Sequence, residues 1–116
     1  MVYNMQLHHR PFTSIKSGRK TIEMRLNDDK RRLLKVGDMV EFMDITTQEK
    51  LVCEVVNLYL YATFEELYQN HDKISIGYTD DEVADPKDML VYYPLEEIKQ
   101  CGVVGIEIKI LQGDGQ

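Results

Sequence analysis

The sequence predicts a mixed α+β domain, mainly β: a small barrel of five or six strands with short helices flanking it. Two stretches carry the strand reading. Lys20 to Leu26 and Val104 to Ile110 alternate apolar and polar residues with the period of two that a half-buried strand requires. A third observation excludes a parallel doubly wound sheet, because the helical stretches are short and do not alternate regularly with the strands.

Along the chain, Met5 to His8 reads as the first strand, begun by Val2 and Tyr3. Pro11 suits the first turn of a short helix that places Phe12 and Ile15 on one side, and Gly18 stops it. In Lys20 to Leu26, the side chains of Ile22, Met24 and Leu26 point one way and those of Thr21, Glu23 and Arg25 the other. The segment LKVGD, Leu34 to Asp38, is a turn in which Gly37 supplies unusual dihedrals before a strand at Met39 to Asp44. ITTQEK makes a hairpin connection to Leu51–Tyr61, a strand rich in Val, Leu and Tyr and long enough to bend around a barrel corner. Thr63 is the expected N-cap of a helix bearing Phe64, Leu67 and Tyr68, with Glu66 as capping-box partner.

Asp72 to Val91 carries five Asp and one Glu and reads as loop with a helix around Glu82 to Leu90. Pro94 opens another helix, LEEIKQC, which Gly102 ends. In the last strand Val104, Ile106, Ile108 and Ile110 face inward, and Glu107 and Lys109 outward. The polar, Gly-rich end, residues 112–116, is expected to fray.

At 116 residues the chain has the length of one domain, 1–116, large enough to bury a core without staples. No apolar run approaches the roughly 20 residues of a membrane helix. The opening MVYNMQLHHR lacks the apolar core of a signal peptide, so a cytoplasmic location is expected. Cys53 and Cys101 lie far apart without metal spacing and read as small buried hydrophobes in a reducing compartment. A net charge of −6 excludes coating of nucleic acid by bulk charge, so any polyanion contact must be local.

One stretch concentrates positive charge. SGRKTIEMRLNDDKRR, Ser17 to Arg32, holds Arg19, Lys20, Arg25, Lys30, Arg31 and Arg32, six of the fourteen Lys and Arg residues. Within it Thr21, Glu23 and Arg25 share a strand face. Lys20 belongs by parity to the other face, but a bend after Gly18 can turn its stem toward Glu23. The set combines a carboxylate acceptor, a guanidinium fork and an ammonium donor, groups that suit a nucleotide. On a solvated strand the same residues would merely pair with one another, for about 0–1 kcal/mol. The loop cluster Lys30, Arg31 and Arg32 is a natural phosphate contact, partly offset by Asp28 and Asp29. Tyr59, Tyr61, Tyr92 and Tyr93 are candidate stacking platforms for bases, or core residues with the hydroxyl at the rim. His8 and His9 are adjacent and so face opposite ways, which rules out a shared metal. The run Asp80 to Asp88 fits no known cation loop and reads as a solvated acidic segment. No cofactor and no metal site are expected.

Four pieces together resemble the ASCH domain, the activating-signal-cointegrator homology family within the PUA-like superfold. They are PFTSIKSGRKTIEMRL, KVGD, LYLYATFEEL and YYPLEEIKQCGVVGIEI, spanning about Met5 to Ile110. The most specific element is the pattern G-x-K-x-x-E-x-R, met by Gly18, Lys20, Glu23 and Arg25. The resemblance implies a PUA-like β-barrel with a cleft beside this motif and RNA or a nucleotide as its partner. The residues expected to line such an interface are Arg19, Lys20, Thr21, Glu23, Arg25, Arg31, Arg32, Tyr61 and Tyr93. Some small members of similar length remove the acetyl group from acetylated cytidine, and others are described as ribonucleases, so Lys20 and Glu23 are also candidate catalytic residues. The amidohydrolases use Lys, Thr and Glu. Their Lys corresponds to Lys20, but their nucleophilic Thr falls at Glu23, with Thr21 two residues away. Their Glu has no single counterpart among Glu65, Glu66 and Glu82. A carboxylate can still serve as a base on water. A third reading, supported by the acidic segment and the overall charge, is a protein-interaction domain.

Overall fold

The computed structural model describes residues 1–113, with side chains through residue 111. Five strands form one curled sheet, a half-barrel of the PUA-like kind: β1 (Val2–Leu7), β2 (Ile22–Leu26), β3 (Met39–Asp44), β4 (Lys50–Tyr61) and β5 (Val103–Gly113). Their order is β1-β3-β4-β5-β2, with β1 parallel to β3 and every other pair antiparallel. The sheet is therefore open between β1 and β2. Twelve-residue β4 makes the bend, helped by register shifts at Val52/Cys53 and Val55/Asn57, where an irregular ladder sharpens the local twist.

Three helices decorate the sheet: α1 (His9–Lys16), α2 (Phe64–Asn70) and α3 (Leu95–Cys101). Gly18 follows α1 at φ 85° and Gly102 follows α3 at φ 71°, positions where a side chain would be strained. Thr63 caps α2 by accepting a hydrogen bond from the Glu66 N–H at 3.2 Å. The helix expected around Glu82 to Leu90 is instead a 3-10 turn over Pro86–Val91, because Pro86 disfavours helical backbone before it and lacks the N–H a longer helix needs. The fraying expected over 112–116 does not hold for its first two residues: β5 continues through Gln112 and Gly113, which pair with Val52 and Leu51. Residues 114–116 lie outside the described residues.

Two apolar clusters fill the curl. One joins β1, α1, β3, β4 and β5 around Phe12, Ile15, Val40 and Phe42. The other packs Ile22, Met24 and Leu26 of β2 against Phe64, Leu67, Ile76, Met89 and Ile98. Cys53 sits fully buried in the first cluster, and burial pushes its thiol up to about 12, while Cys101 is half-buried. No helix among the described residues is long and apolar enough to cross a membrane.

Candidate nucleotide-binding cleft

β2 is not the half-solvated strand that its alternation predicts. Its apolar row enters the second cluster, and its polar row is covered as well: Glu23 is only 4% exposed. The cover is the segment between α2 and the 3-10 turn. Ser75 C=O accepts from the N–H groups of Thr21 and Ile22 at 2.9 and 3.0 Å, tying this segment across the start of β2. Gly77 then lies against the Lys20 stem. A Cβ at Gly77 would meet Lys20 Cδ at 3.3 Å and Nζ at 3.4 Å, and its φ of 115° also favours glycine.

Buried between these layers is an ion triad. Lys20 Nζ lies 3.0 Å from Glu23 Oε1, and Arg25 Nε donates to Glu23 Oε2 at 2.6 Å. Lys20, before the regular strand begins, does turn its stem back to Glu23. Burial by itself raises the Glu23 carboxyl; the Lys20 and Arg25 charges and their hydrogen bonds outweigh it and hold the group below its ordinary value. Arg25 is held above its ordinary value because Glu23 overcomes the effect of burial. Arg25 also donates through Nη2 to Gln6 C=O at 2.9 Å, so its guanidinium bridges the two open edges of the half-barrel.

A cleft of about 500 Å³ opens over this seam, lined at its floor by Lys20, Glu23 and Arg25. One wall comes from the end of β1 and the start of α1, including Gln6, His8 and Arg10. The opposite wall is tyrosine-rich. Tyr68 and Tyr78 hydroxyls meet at 2.8 Å, and Tyr78 donates to Asp88 Oδ2 at 2.8 Å, while Tyr92 and Tyr93 stand at the rim. Burial raises Tyr68, Tyr78 and Tyr93, so all three remain neutral donors near pH 7. Arg10 Nη2 to Glu82 Oε1, 2.5 Å, joins the two walls, and hydrogen bonding to Arg10 pulls the Glu82 carboxyl down to about 2.

Of the residues expected to form an interface, Lys20, Glu23, Arg25 and Tyr93 meet in the cleft. Arg19 and Thr21 are exposed and outside it. Tyr61 bonds His71 Nε2 at 2.9 Å, away from the cleft. Arg31 pairs with Asp28 at 3.2 Å, Arg32 donates to the C=O groups of Asn27 and Cys101, and Lys30 is exposed, so the basic loop lies outside the cleft with its two arginines held by neighbours. Four carboxylates of the acidic run are committed: Asp81 accepts from Thr79, Asp85 caps the Lys87 N–H, and Glu82 and Asp88 are held as above. Gly77, Arg10 and Tyr78 carried no local signal, because each gains its role from a partner more than 50 residues away in the cases of Gly77 and Arg10 and from a loop contact in that of Tyr78. Among the described residues no group of three His, Cys, Asp or Glu side chains is placed to hold a metal ion.

Comparison with known proteins agrees with this architecture. The ASCH domain family model matches residues 5–112. The crystal structure of hypothetical protein PH0355 superposes with a TM-score of 0.81 at 30% identity, covering 96% of this chain and all of that one. The solution NMR structure of protein PF0455 from Pyrococcus furiosus gives a TM-score of 0.74 at 29% identity, covering 97% of this chain and 99% of that one. Among curated proteins no match was found. With a family match over nearly its whole length and the half-barrel to go with it, this chain belongs to the ASCH domain family.

Proposed function

We propose that the cleft binds one nucleotide unit of RNA, or a free nucleotide, through the Lys20–Glu23–Arg25 triad. The observation that carries this reading is the commitment of both Glu23 oxygens to the two cations. Glu23 thereby acts as a holder. It fixes Lys20 and Arg25 while leaving them donors to spare: Lys20 has three N–H groups and Arg25 five. Spare, preorganised donors at the floor of a buried cleft select a ligand rich in acceptors, such as base carbonyls, ring nitrogens or phosphate oxygens. The volume falls within the roughly 300–1,000 Å³ range of small-molecule sites. It accommodates one nucleotide rather than a run of them. The rim tyrosines, Tyr92 and Tyr93, add surfaces on which a base can stack.

Hydrolysis is the weaker reading. A carboxylate held below its ordinary value by two cations is a poor general base near pH 7, and Thr21, the nearest hydroxyl in the motif, lies outside the cleft. The protein-interaction reading weakens because the acidic segment that suggested it folds into the cleft wall.

Titration with uridine 5′-monophosphate and with a short single-stranded RNA, followed by amide spectra at low salt, tests the proposal. Amides from Lys20 to Leu26 are expected to move. A Lys20→Met variant, which keeps the Glu23–Arg25 pair, is expected to bind about tenfold more weakly or worse, as loss of a charge-assisted hydrogen bond implies. The salt slope should be shallow, about −0.7 per phosphate contacted. Undiminished binding by Lys20→Met would remove the cleft from consideration.

A further inference from the structure

The main chain of β2 adds a recognition element that its side chains hide. Along an antiparallel strand, successive residues direct their N–H and C=O groups alternately toward the partner and away from it. Two contacts set the phase here. Thr21 C=O accepts from Ile108 N–H at 2.9 Å, and Asn27 N–H donates to Gly102 C=O at 3.0 Å, both on the β5 side. Glu23 and Arg25, opposite Ile106 and Val104, share that phase. Ile22, Met24 and Leu26 therefore direct their main-chain groups away from β5. Ile22 N–H confirms the direction by donating to Ser75 C=O.

Met24 is the residue of this set that lines the cleft, and no strand pairs with β2 on that side. Among the described residues, neither its N–H nor its C=O has a hydrogen-bond partner. The cleft also touches the consecutive residues Glu23, Met24 and Arg25, whose side chains lie on opposite faces of the sheet, so it meets β2 edge-on. Buried main-chain groups are nearly always satisfied, and a free donor and acceptor side by side at a cleft call for a partner. That partner must be planar and must present one acceptor beside one donor.

The geometry points to the Met24 N–H and C=O as readers of the Watson–Crick edge of a single unpaired nucleobase. This rests on the nucleotide-binding reading above and adds which edge is read. Every base carries an adjacent donor and acceptor on that edge; uracil offers its N3–H beside a ring carbonyl. A main-chain pair can satisfy all four, so the site accepts any base and rejects a paired one, whose edge is already engaged. A nucleobase suits this edge better than an extended peptide. A strand filling the gap would need the β1 edge too, and there Gln6 C=O is already taken by Arg25.

The test compares three probes on the full chain: uridine 5′-monophosphate, its 3-methyl derivative and its 5-methyl derivative, with amide spectra recorded in each titration. The 3-methyl group replaces the N3–H and leaves Met24 C=O unmatched, which is expected to weaken binding by about tenfold or more. The 5-methyl group lies off that edge and removes no donor or acceptor, so it should change binding by less than about threefold. The Met24 amide proton should move downfield with the parent nucleotide and not with the 3-methyl form. Equal binding of parent and 3-methyl nucleotides, or a motionless Met24 amide while signals of Lys20 and Arg25 shift, would overturn the inference and leave the nucleotide site standing. Failure of all three probes to bind would overturn both.

Discussion

Among the described residues two carboxylates are buried, Asp44 and Glu23, and they are satisfied in different ways. Asp44, fully buried at the end of β3, is served by its own surroundings. Thr46 N–H donates to its Oδ1 at 2.8 Å, Thr47 N–H at 3.4 Å, and the His9 ring meets its Oδ2 at 2.6 Å. Burial raises the Asp44 carboxyl, and the His9 and Thr bonds outweigh that effect and lower it. Most of these partners are main-chain groups of the following turn, so the site closes on itself. Glu23 is served instead by two long side chains, each with donors left over and each facing the cleft. A buried charge satisfied by local backbone fixes a turn; one satisfied by convergent cations also prepares a surface for a ligand.

The largest way to break this contrast is Glu23→Gln. It leaves Lys20 and Arg25 buried without their counter-charge, and removal of one partner from a buried ion pair costs about 3–5 kcal/mol. Denaturant unfolding should show that loss together with loss of nucleotide binding. Asp44→Asn is expected to lower Tm while nucleotide affinity is unchanged. If it weakened binding as much as Glu23→Gln, the two sites would not differ in kind.

Acid gives the next effect. The Glu23 pKa is lower in the folded than in the unfolded chain, so its contribution is complete above the ordinary value of 4.5 and is lost as pH falls through the folded value. Asp44 acts in the same direction. Thermal stability should therefore fall steadily below pH 4.5, and Glu23→Gln should flatten that acid limb. An unchanged limb would mean that Glu23 is not held charged by its cations.

Gly77→Ala should follow, at about 1–2 kcal/mol for a side chain at positive φ, with weakened binding because the new methyl presses on Lys20. The smallest change is expected for His9→Ala. It removes one of several partners of Asp44 from a half-exposed position, and should move Tm least and leave binding intact.

Much of the fold was legible because short-range physics sets it. The alternation of Val104 to Ile110 marks β5, Thr63 with Glu66 marks the start of α2, and Gly18, Gly37 and Gly102 mark turns whose positive φ angles the structure contains. The motif itself was legible to the extent that Lys20, Glu23 and Arg25 do converge. What parity could not tell was that the polar row of β2 is covered. The residues that cover it, Ser75 to Gly77, sit about fifty positions later in a segment with no periodicity. The basic loop was legible in part: Asp28, three positions from Arg31, pairs with it, whereas the Cys101 C=O that accepts from Arg32 becomes a neighbour only after folding.

The sequence by itself determined the strands, the caps, the turns and the family motif, since each depends on residues within a few positions of one another. Only the tertiary structure decided that the half-barrel stays open between β1 and β2 and that Glu23 is buried beneath the Ser75–Gly77 crossing. It also decided that the free edge at Met24 faces the cleft. Burial and the direction of unpaired main-chain groups follow from which distant segments pack together, and a charged residue two positions from another reads the same in water as in a core.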